Sequence, residues 1–504
     1  MSMPAEHLTT TSNLNDLLQG FADAPALEIL GLSSDSRYLR PGDLFLACAG
    51  HSSHGLDYIV DAVEAGVAAI AWDSSTADAP ASDVGVPMIA VAGLAQRVGE
   101  IANRFFARPS ETIKVTGVTG TNGKTTVAWL IAQCFTRLDQ RCAYVGTLGS
   151  GIGEIEVGDG LTTPGAIELH SHLADFRNAA GMRAAVEVSS HALAQNRVDG
   201  VAFETVLFTN LSRDHLDYHG DMQTYAATKA RLFLECKARS RIINIDSDFG
   251  ADLAGRCGQD VVTVSTNFNR VANGRRHVFV RSVVARDSGS KVRVSSSWGD
   301  CEFTLPLPGD FNVANAVIVL ALLLEQGIPL DKACDVIATV SAPPGRMQQV
   351  TAATGLPSVY VDYAHTPEAL NVALRALDAH CKGKLWCVFG CGGDRDPGKR
   401  PQMGKIAERR ADYIVVTNDN PRSEDPCSII AAIAEGLARP DRATIIEDRA
   451  AAIAWAIGQA AADDIVLIAG KGHENYQLLD GERVDFSDYG AALANLAALA
   501  EASA

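Results

Sequence analysis

Seven consecutive residues, Gly120-Thr121-Asn122-Gly123-Lys124-Thr125-Thr126, place flexible backbone, one cation and several hydroxyls at a single point of the chain. Glycines let backbone N–H groups approach phosphate oxygens, and a helix beginning there adds a favourable dipole. Lys124 would reach the β- and γ-phosphates, and the Thr125 hydroxyl would ligate Mg²⁺. The strict G-x-x-x-x-G-K-[ST] pattern requires glycine at 118, where this chain has Val118. A plain Gly-rich turn, however, has no need of Lys-Thr-Thr at a helix start. The segment is read as a nucleotide phosphate loop.

Further chemistry clusters later. Glu187 precedes Val188-Ser189-Ser190-His191, and Asp214-His215-Leu216-Asp217 follows another β-branched run. Carboxylate oxygen and imidazole nitrogen suit Mg²⁺ or Mn²⁺ better than thiolate-loving metals. Taken singly, His215 is equally a structural histidine and Glu187 a satisfied acid; their position beside a phosphate loop favours metal. Asn312 reads as the N-cap of the helix that follows it, and Asn315, one turn in, is placed to read a base edge. Three polar segments near the C-terminus, Gly392-Gly393-Asp394-Arg395-Asp396, Asp419-Asn420-Pro421-Arg422 and Gly470-Lys471-Gly472-His473-Glu474, each follow an apolar run. Two arginines and a glutamate there would clamp a molecule bearing both a carboxylate and an ammonium group.

Elements to position these residues are legible in three blocks. Residues 1–109 hold short strands at 43–47, 67–72 and 88–91 and a helix over 94–106, closed by Arg108-Pro109-Ser110, which reads as a linker. Residues 110–342 open with a strand at 112–118, the phosphate loop and a helix over 127–135, and continue with strands at 183–188, 205–209 and 241–245. A helical pattern covers 225–234, the alternation over 276–307 predicts antiparallel strands, and a helix over 313–324 follows. Ala342-Pro343-Pro344-Gly345 marks the next boundary. Residues 343–504 alternate strands (358–363, 385–389, 413–417, 444–447, 465–469) with Ala-rich helices, the signature of a parallel, Rossmann-like sheet that binds ligands beyond its strand ends. The fold class is therefore α/β in three domains, the middle one a phosphate-loop domain with a small antiparallel region.

Composition agrees. A chain of 504 residues, 47% hydrophobic and 20% charged, suits about three domains. A net charge of −17 gives no general attraction for nucleic acid or anionic membrane. The longest apolar run, 316–324, is too short to cross a bilayer, and no basic-then-apolar leader opens the chain. Eleven cysteines without a C-x-x-C pair read as reduced thiols, which points to the cytoplasm.

The phosphate loop, Glu187-Val188-Ser189-Ser190-His191, Asp214-His215-Leu216-Asp217, Tyr225 to Lys229, Asn312 and Asn315, Gly345-Arg346-Met347, Asp362-Tyr363-Ala364-His365-Thr366-Pro367 and the 470–474 segment stand in the order seen in Mur ligases. The chain resembles that family over all three blocks, and most of all its members that add meso-diaminopimelate as the third residue of the peptidoglycan stem peptide. The resemblance implies a monomeric enzyme that uses ATP and Mg²⁺ to activate the D-glutamate carboxylate of UDP-N-acetylmuramoyl-L-alanyl-D-glutamate as an acyl phosphate, which an amine then attacks. Thr125 and Glu187 would hold one metal ion, and His215 and Lys229 would serve a second. For Lys229 the family implies a CO₂-derived carbamate, which turns a cation into an anionic oxygen ligand.

By the same resemblance, Ser34, Ser36, His51, Ser52 and Ser53 would hold the uridine end, and Thr162, Thr163, Ser189, Gln195 and Arg197 the muramoyl-dipeptide. Asn312 and Asn315 would approach adenine, with Arg346 and Asp362 completing the nucleotide site. Leu161 departs from the Asn that often precedes Thr-Thr, at the loss of a polar contact. The Asp419-Asn420-Pro421-Arg422 segment goes with meso-diaminopimelate in the family, and Arg395, Gly470 and Glu474 would complete its pocket. That segment and the first block speak against a folylpolyglutamate synthetase or a muramoyl ligase of a neighbouring step. A nucleotide-dependent switch that never ligates would leave the three C-terminal loops unexplained.

Overall fold

The computed structural model describes residues 11–50, 53–79, 84–158, 160–270, 276–286, 289–350, 355–479 and 481–503. By Cα proximity the chain forms two compact units, one of Met1–Lys124, Phe135–Ile243 and Ser247–Val261, the other of Thr125–Cys134, Asn244–Asp246 and Val262–Ala504.

The first unit begins with α1 (Leu14–Leu18), β1 (Gly31–Ser33), β2 (Asp43–Ala47), α2 (Ile59–Glu64), β3 (Ala69–Asp73), β4 (Met88–Val91) and α3 (Val98–Phe105). The four strands form a parallel sheet in the order β1-β2-β3-β4. Its strands are apolar on both faces: Leu44, Leu46 and Ala71 meet Leu17, Ile101 and Phe105, while Phe45, Ile70 and Trp72 pack on the other side. The helix expected over 94–106 is interrupted, a 3₁₀ turn at Leu94–Gln96 preceding α3. Pro109 and Ser110, read as linker, are buried in a further 3₁₀ turn, where the Ser110 hydroxyl accepts from Ala202 N at 3.0 Å.

Next along the chain come β5 (Lys114–Thr119), α4 (Lys124–Arg137), β6 (Cys142–Gly146), β7 (Gly149–Gly151), α5 (Ala166–Asn178), β8 (Arg183–Glu187), α6 (Ser190–Ala194), β9 (Phe203–Phe208), α7 (Leu216–His219), α8 (Met222–Leu234), β10 (Ala238–Asn244) and α9 (Asp248–Arg256), all in the first unit except residues 125–134 of α4 and Asn244 at the end of β10. The strands lie in the order β10-β9-β5-β8-β6-β7, parallel except for the β6–β7 hairpin. The β5 strand is central, so the phosphate loop leaves the middle of the sheet. The helix after it starts at Lys124, three residues earlier than the apolar periodicity indicates, because its first turn is the loop itself.

In the second unit, β11 (Val261–Ser265) pairs in parallel with β12 (His277–Arg286), which continues as an antiparallel meander through β13 (Gly289–Ser296) and β14 (Gly299–Leu305). Helices α10 (Asp310–Glu325) and α11 (Leu330–Ile337) follow. Residues 316–324 of α10 are all buried, which accounts for a helix that is apolar all round.

The remainder holds β15 (Gln348–Val350), β16 (Ser358–Asp362), α12 (Pro367–Asp378), β17 (Leu385–Phe389), α13 (Lys399–Arg410), β18 (Tyr413–Val416), α14 (Pro426–Ala434), β19 (Ala443–Ile445), α15 (Arg449–Gln459), β20 (Ile465–Ala469), the hairpin β21 (Tyr476–Leu479) and β22 (Glu482–Asp485), and α16 (Asp488–Ser503). The sheet order is β15-β16-β20-β17-β18-β19, parallel apart from β15. Separate apolar clusters cover its two faces. No helix among the described residues is long and apolar enough to cross a membrane.

Candidate functional site

The phosphate loop is braced by the chain that follows β9. Gly120 has φ +151°, and a Cβ there would lie 1.9 Å from the Thr209 hydroxyl, so only glycine fits. Thr209 Oγ1 donates to Asn122 O at 2.6 Å, Asn210 Oδ1 accepts from Asn122 N at 3.0 Å, and Thr121 N donates to Asn210 O at 2.9 Å. Lys124 curls over the loop, its ammonium donating to the carbonyls of Gly120 and Thr121 at 3.0 and 2.9 Å. In the second unit, Thr125 and Thr126 are buried in the first turn of α4. Thr209 and Asn210 escaped the sequence reading, although a Thr-Asn pair directly after a buried strand was a visible signal.

Glu187 ends β8 with no exposed surface. Its Oε1 accepts from the Tyr144 hydroxyl at 2.5 Å and Thr147 N at 3.0 Å, and its Oε2 from Thr147 Oγ1 at 3.3 Å. Below it, Thr163 Oγ1 donates to Glu187 O at 2.7 Å and accepts from Ser189 N at 3.0 Å, and Thr162 meets Thr147 hydroxyl to hydroxyl at 3.2 Å. Arg197 donates to Thr163 O at 2.9 Å and to Gln195 Oε1 at 3.0 Å, and Gln195 donates to the Tyr218 hydroxyl at 3.1 Å. Ser189 caps α6, its hydroxyl accepting from Ala192 N. The residues read as dipeptide contacts are thus one network around the end of β8, with Leu161 exposed at its margin. Tyr144 was missed because an aromatic on a buried strand looks like core, and Thr147 because it stands in the turn after that strand with no motif of its own.

Lys229 is 1% exposed on α8, where its Nζ donates to Gly120 O at 2.9 Å and lies 4.6 Å from the Tyr225 ring centre. Burial, and then the nearby Lys124 charge, hold its amine well below the usual lysine range. Tyr225 also meets the Thr121 hydroxyl at 3.1 Å, and the His215 ring lies 6.2 Å from the Tyr225 ring and 4.9 Å from His191. His215 holds a left-handed conformation (φ 52°), a strain that commonly marks a functional position. Among the described residues no three His, Cys, Asp or Glu side chains gather as a metal site. A hydroxyl, a carboxylate, an imidazole and a carbamate oxygen would suit Mg²⁺; a bare ammonium would not.

Of the residues expected at the uridine end, Ser34, Ser36 and Ser53 lie beyond β1 and β2, Ser36 opening a 3₁₀ turn and Ser53 accepting from the Tyr58 hydroxyl at 3.3 Å. His51 and Ser52 fall outside the described residues.

In the second unit, α10 starts at Asp310 with Gly309 as its N-cap, so Asn312 is not the cap. Asn312 is buried in the first turn and donates to Pro308 O at 2.8 Å, and Asn315 donates to it at 3.5 Å. Arg346 lies 4.6 Å above the Tyr363 ring, and its Nε is buried without a hydrogen-bond partner, a donor that calls for a ligand. Asp362 accepts from Met347 N at 2.7 Å and Ala364 N at 2.9 Å; burial raises its pKa, against the opposing pull of Arg346. Its two oxygens therefore fold the Arg346 loop. Gly345 (φ +65°) packs so closely that a Cβ would lie 2.1 Å from His473 N. Gly345→Ala is expected to cost roughly 1–3 kcal/mol, through the left-handed backbone and a clash with backbone atoms, read as a lower urea midpoint.

The three C-terminal polar loops leave the adjacent strands β17, β18 and β20 at their carboxyl ends, as the alternation implied. Arg422, left-handed at φ 56°, donates through Nη1 to Gly393 O at 2.8 Å. Ser423 donates to Asp394 at 2.6 Å, lacing the first two loops together, and Arg395 in the first loop is exposed. Asn420 donates to Glu474 Oε2 at 3.0 Å, and the buried Lys471 ammonium joins Asn420 Oδ1 (3.0 Å) to Glu474 Oε2 (2.9 Å). A Cβ on Gly470 would meet Asp419 Oδ2 at 2.6 Å.

Beneath these loops Arg449 pairs bidentately with Asp488 at 2.7 and 2.8 Å, both fully buried, and donates to the carbonyls of Asn418 and Ala469. Arg449 thereby ties the ends of β18 and β20 to the start of α16. No local pattern marks a pair so distant in sequence.

Three family models match the chain: "Mur ligase family, catalytic domain" at residues 28–106, "Mur ligase middle domain" at 118–323, and "Mur ligase, glutamate ligase domain" at 345–472. A UDP-N-acetylmuramoyl-L-alanyl-D-glutamate--2,6-diaminopimelate ligase of Pseudomonas putida is 45% identical over 463 residues, 91% of this chain and 92% of that protein. The chain belongs to the Mur ligase family. The protein of the same name from Pseudomonas aeruginosa is also 45% identical, over 92% of this chain and 94% of its own. A solved structure with that name superposes with TM-score 0.74 at 34% identity, covering 97% and 99% of the two chains. The three-domain α/β architecture is that of a Mur ligase.

Proposed function

We propose that this Mur ligase joins meso-diaminopimelate to the D-glutamate of UDP-N-acetylmuramoyl-L-alanyl-D-glutamate, with ATP converted to ADP and phosphate, as a cytoplasmic monomer whose domain boundaries fall near 109 and 342. The observation that supports the reading is the hydrogen-bonded group of Asn420, Glu474 and Lys471, with Arg422 anchored on Gly393 O, in the loops at the carboxyl ends of β17, β18 and β20. It offers one guanidinium and one carboxylate to a ligand that bears carboxylates and ammonium groups.

In the reaction, the D-glutamate carboxylate attacks the γ-phosphorus and ADP leaves. The amine then attacks the acyl carbon of the acyl phosphate, and the tetrahedral adduct loses phosphate to give the amide. Carboxylate and triphosphate repel each other, so charge along the path must be neutralised. Lys124 would turn from its loop carbonyls to the β/γ-phosphates, and the loop N–H groups would hold their oxygens. Thr125 and Glu187 would hold one Mg²⁺, and His215 and a carbamylated Lys229 would serve a second; the ions would screen phosphate charge. Thr162, Thr163, Ser189, Gln195 and Arg197 would orient the dipeptide, and Ser34, Ser36 and the 51–53 segment the uridine. Asn312, Asn315, Arg346 and Asp362 would complete the nucleotide site. Arg395, Asp419, Asn420, Pro421, Arg422, Gly470 and Glu474 would form the amino-acid pocket.

The test is acceptor-dependent phosphate release with the UDP-muramoyl-dipeptide. Turnover is expected with meso-diaminopimelate and little with L-lysine. Equal turnover with both, or nucleotide binding without acceptor-stimulated hydrolysis, would overturn the reading.

A further inference from the structure

Cys301 lies on β14, the edge strand of the antiparallel meander, and Cys334 on α11, which packs beside it. Their Sγ atoms are 2.8 Å apart, closer than ordinary non-bonded sulfurs, although both are free thiols. Cys334 is buried and Cys301 half-buried, so solvent reaches the pair from the Cys301 side. We propose that Cys301 and Cys334 are a redox-active dithiol that closes to an intramolecular disulfide when a low-molecular-weight disulfide reaches it.

The two thiols are chemically unequal. The hydrogen bond from the Cys334 thiol holds Cys301 below the usual thiol range, against burial, while the same bond and burial raise Cys334. Cys301 is accordingly the attacking thiolate. It displaces one thiolate from the small disulfide RSSR and becomes a mixed disulfide. Cys334 then loses its proton and attacks the Cys301 sulfur, expelling the second thiolate. The balance is protein dithiol plus RSSR giving protein disulfide plus two RSH, with two electrons passing to the reagent.

Closure would tie the edge strand to a helix whose downstream chain is already pinned. Gln133 donates to Ser341 O at 2.8 Å and accepts from Ser341 N and Oγ at 3.1 Å each. The new bond closes a loop between residues 33 positions apart and so restricts the unfolded chain. No spacing motif betrays the pair, and the remaining cysteines are free thiols.

The experiment is incubation of the full chain with oxidised glutathione, quenching with N-ethylmaleimide and peptide mapping without reductant. A cross-linked Cys301–Cys334 peptide lacking two hydrogens is expected, reversible by dithiothreitol, with a higher thermal midpoint than the reduced protein. Cys334→Ser should retain glutathione on Cys301, and Cys301→Ser should lose both the cross-link and the thermal shift. Recovery of both residues as maleimide adducts while the exposed Cys427 carries glutathione would overturn the proposal. So would a Cys334→Ser protein without glutathione on Cys301.

Discussion

Arg422→Ala is expected to lower kcat/KM for meso-diaminopimelate by about 10²-fold or more while the KM for ATP stays unchanged. The side chain is held out of the ordinary backbone basin at φ 56°, and its Nη1 is anchored on Gly393 O. Among the described residues its Nε and Nη2 edge has no partner, which leaves the planar face that a carboxylate matches bidentately. Truncating one member of a buried charge pair typically costs about 2–5 kcal/mol, and the ligand's distal carboxylate would be the group abandoned. L-Lysine has no such carboxylate, so its weak use should hardly change, and the preference between the two amino acids should collapse. Arg422→Lys should recover only part of the loss, because an ammonium cannot reproduce two parallel N–H bonds. Undiminished turnover of meso-diaminopimelate by the alanine variant would remove Arg422 from the pocket.

What the sequence made legible follows from how local each signal is. The strand, Gly-rich turn and helix around residues 114–137, the parallel alternation of the last block and the meander over 276–307 all rest on contiguous residues, and each of these elements is found where its pattern put it. Boundaries slipped where a polar turn belongs to the helix it starts, as at Lys124, or where a glycine with φ +92° caps a helix in place of the nearby asparagine, as at Gly309. The residues that hold the site in shape were the hard part. Thr209 and Asn210 grip the phosphate loop from the end of another strand, Tyr144 restrains Glu187 from inside the sheet, and Arg449 at the start of α15 reaches Asp488 at the start of the neighbouring α16. Each is defined by a long-range contact with no periodicity of its own. Lys471 stood within a segment already singled out, yet only the fold reveals that its ammonium is buried beneath Asn420 and Glu474.

Lys229→Met should abolish ligation, by about 10³-fold or more, and at the same time make the protein more resistant to urea at neutral pH. The amine is buried and depressed by its surroundings, first by desolvation and then by Lys124. Between that lowered pKa and the ordinary lysine value of about 10.4, the unfolded chain carries a proton that the folded one lacks. Stability therefore rises with pH across this window and is lost as pH falls through it, a slope that methionine removes. A neutral amine is also the form that adds CO₂, so the feature that weakens the fold is the one that lets Lys229 become an anionic carbamate. Loss of that anion would leave Mg²⁺ and the triphosphate without a partner worth several kcal/mol at the transition state. Wild-type turnover should accordingly fall in CO₂-depleted buffer and return with bicarbonate, whereas the variant responds to neither. A methionine variant that is inactive but less stable than wild type, with wild-type turnover indifferent to CO₂, would make Lys229 a structural residue instead.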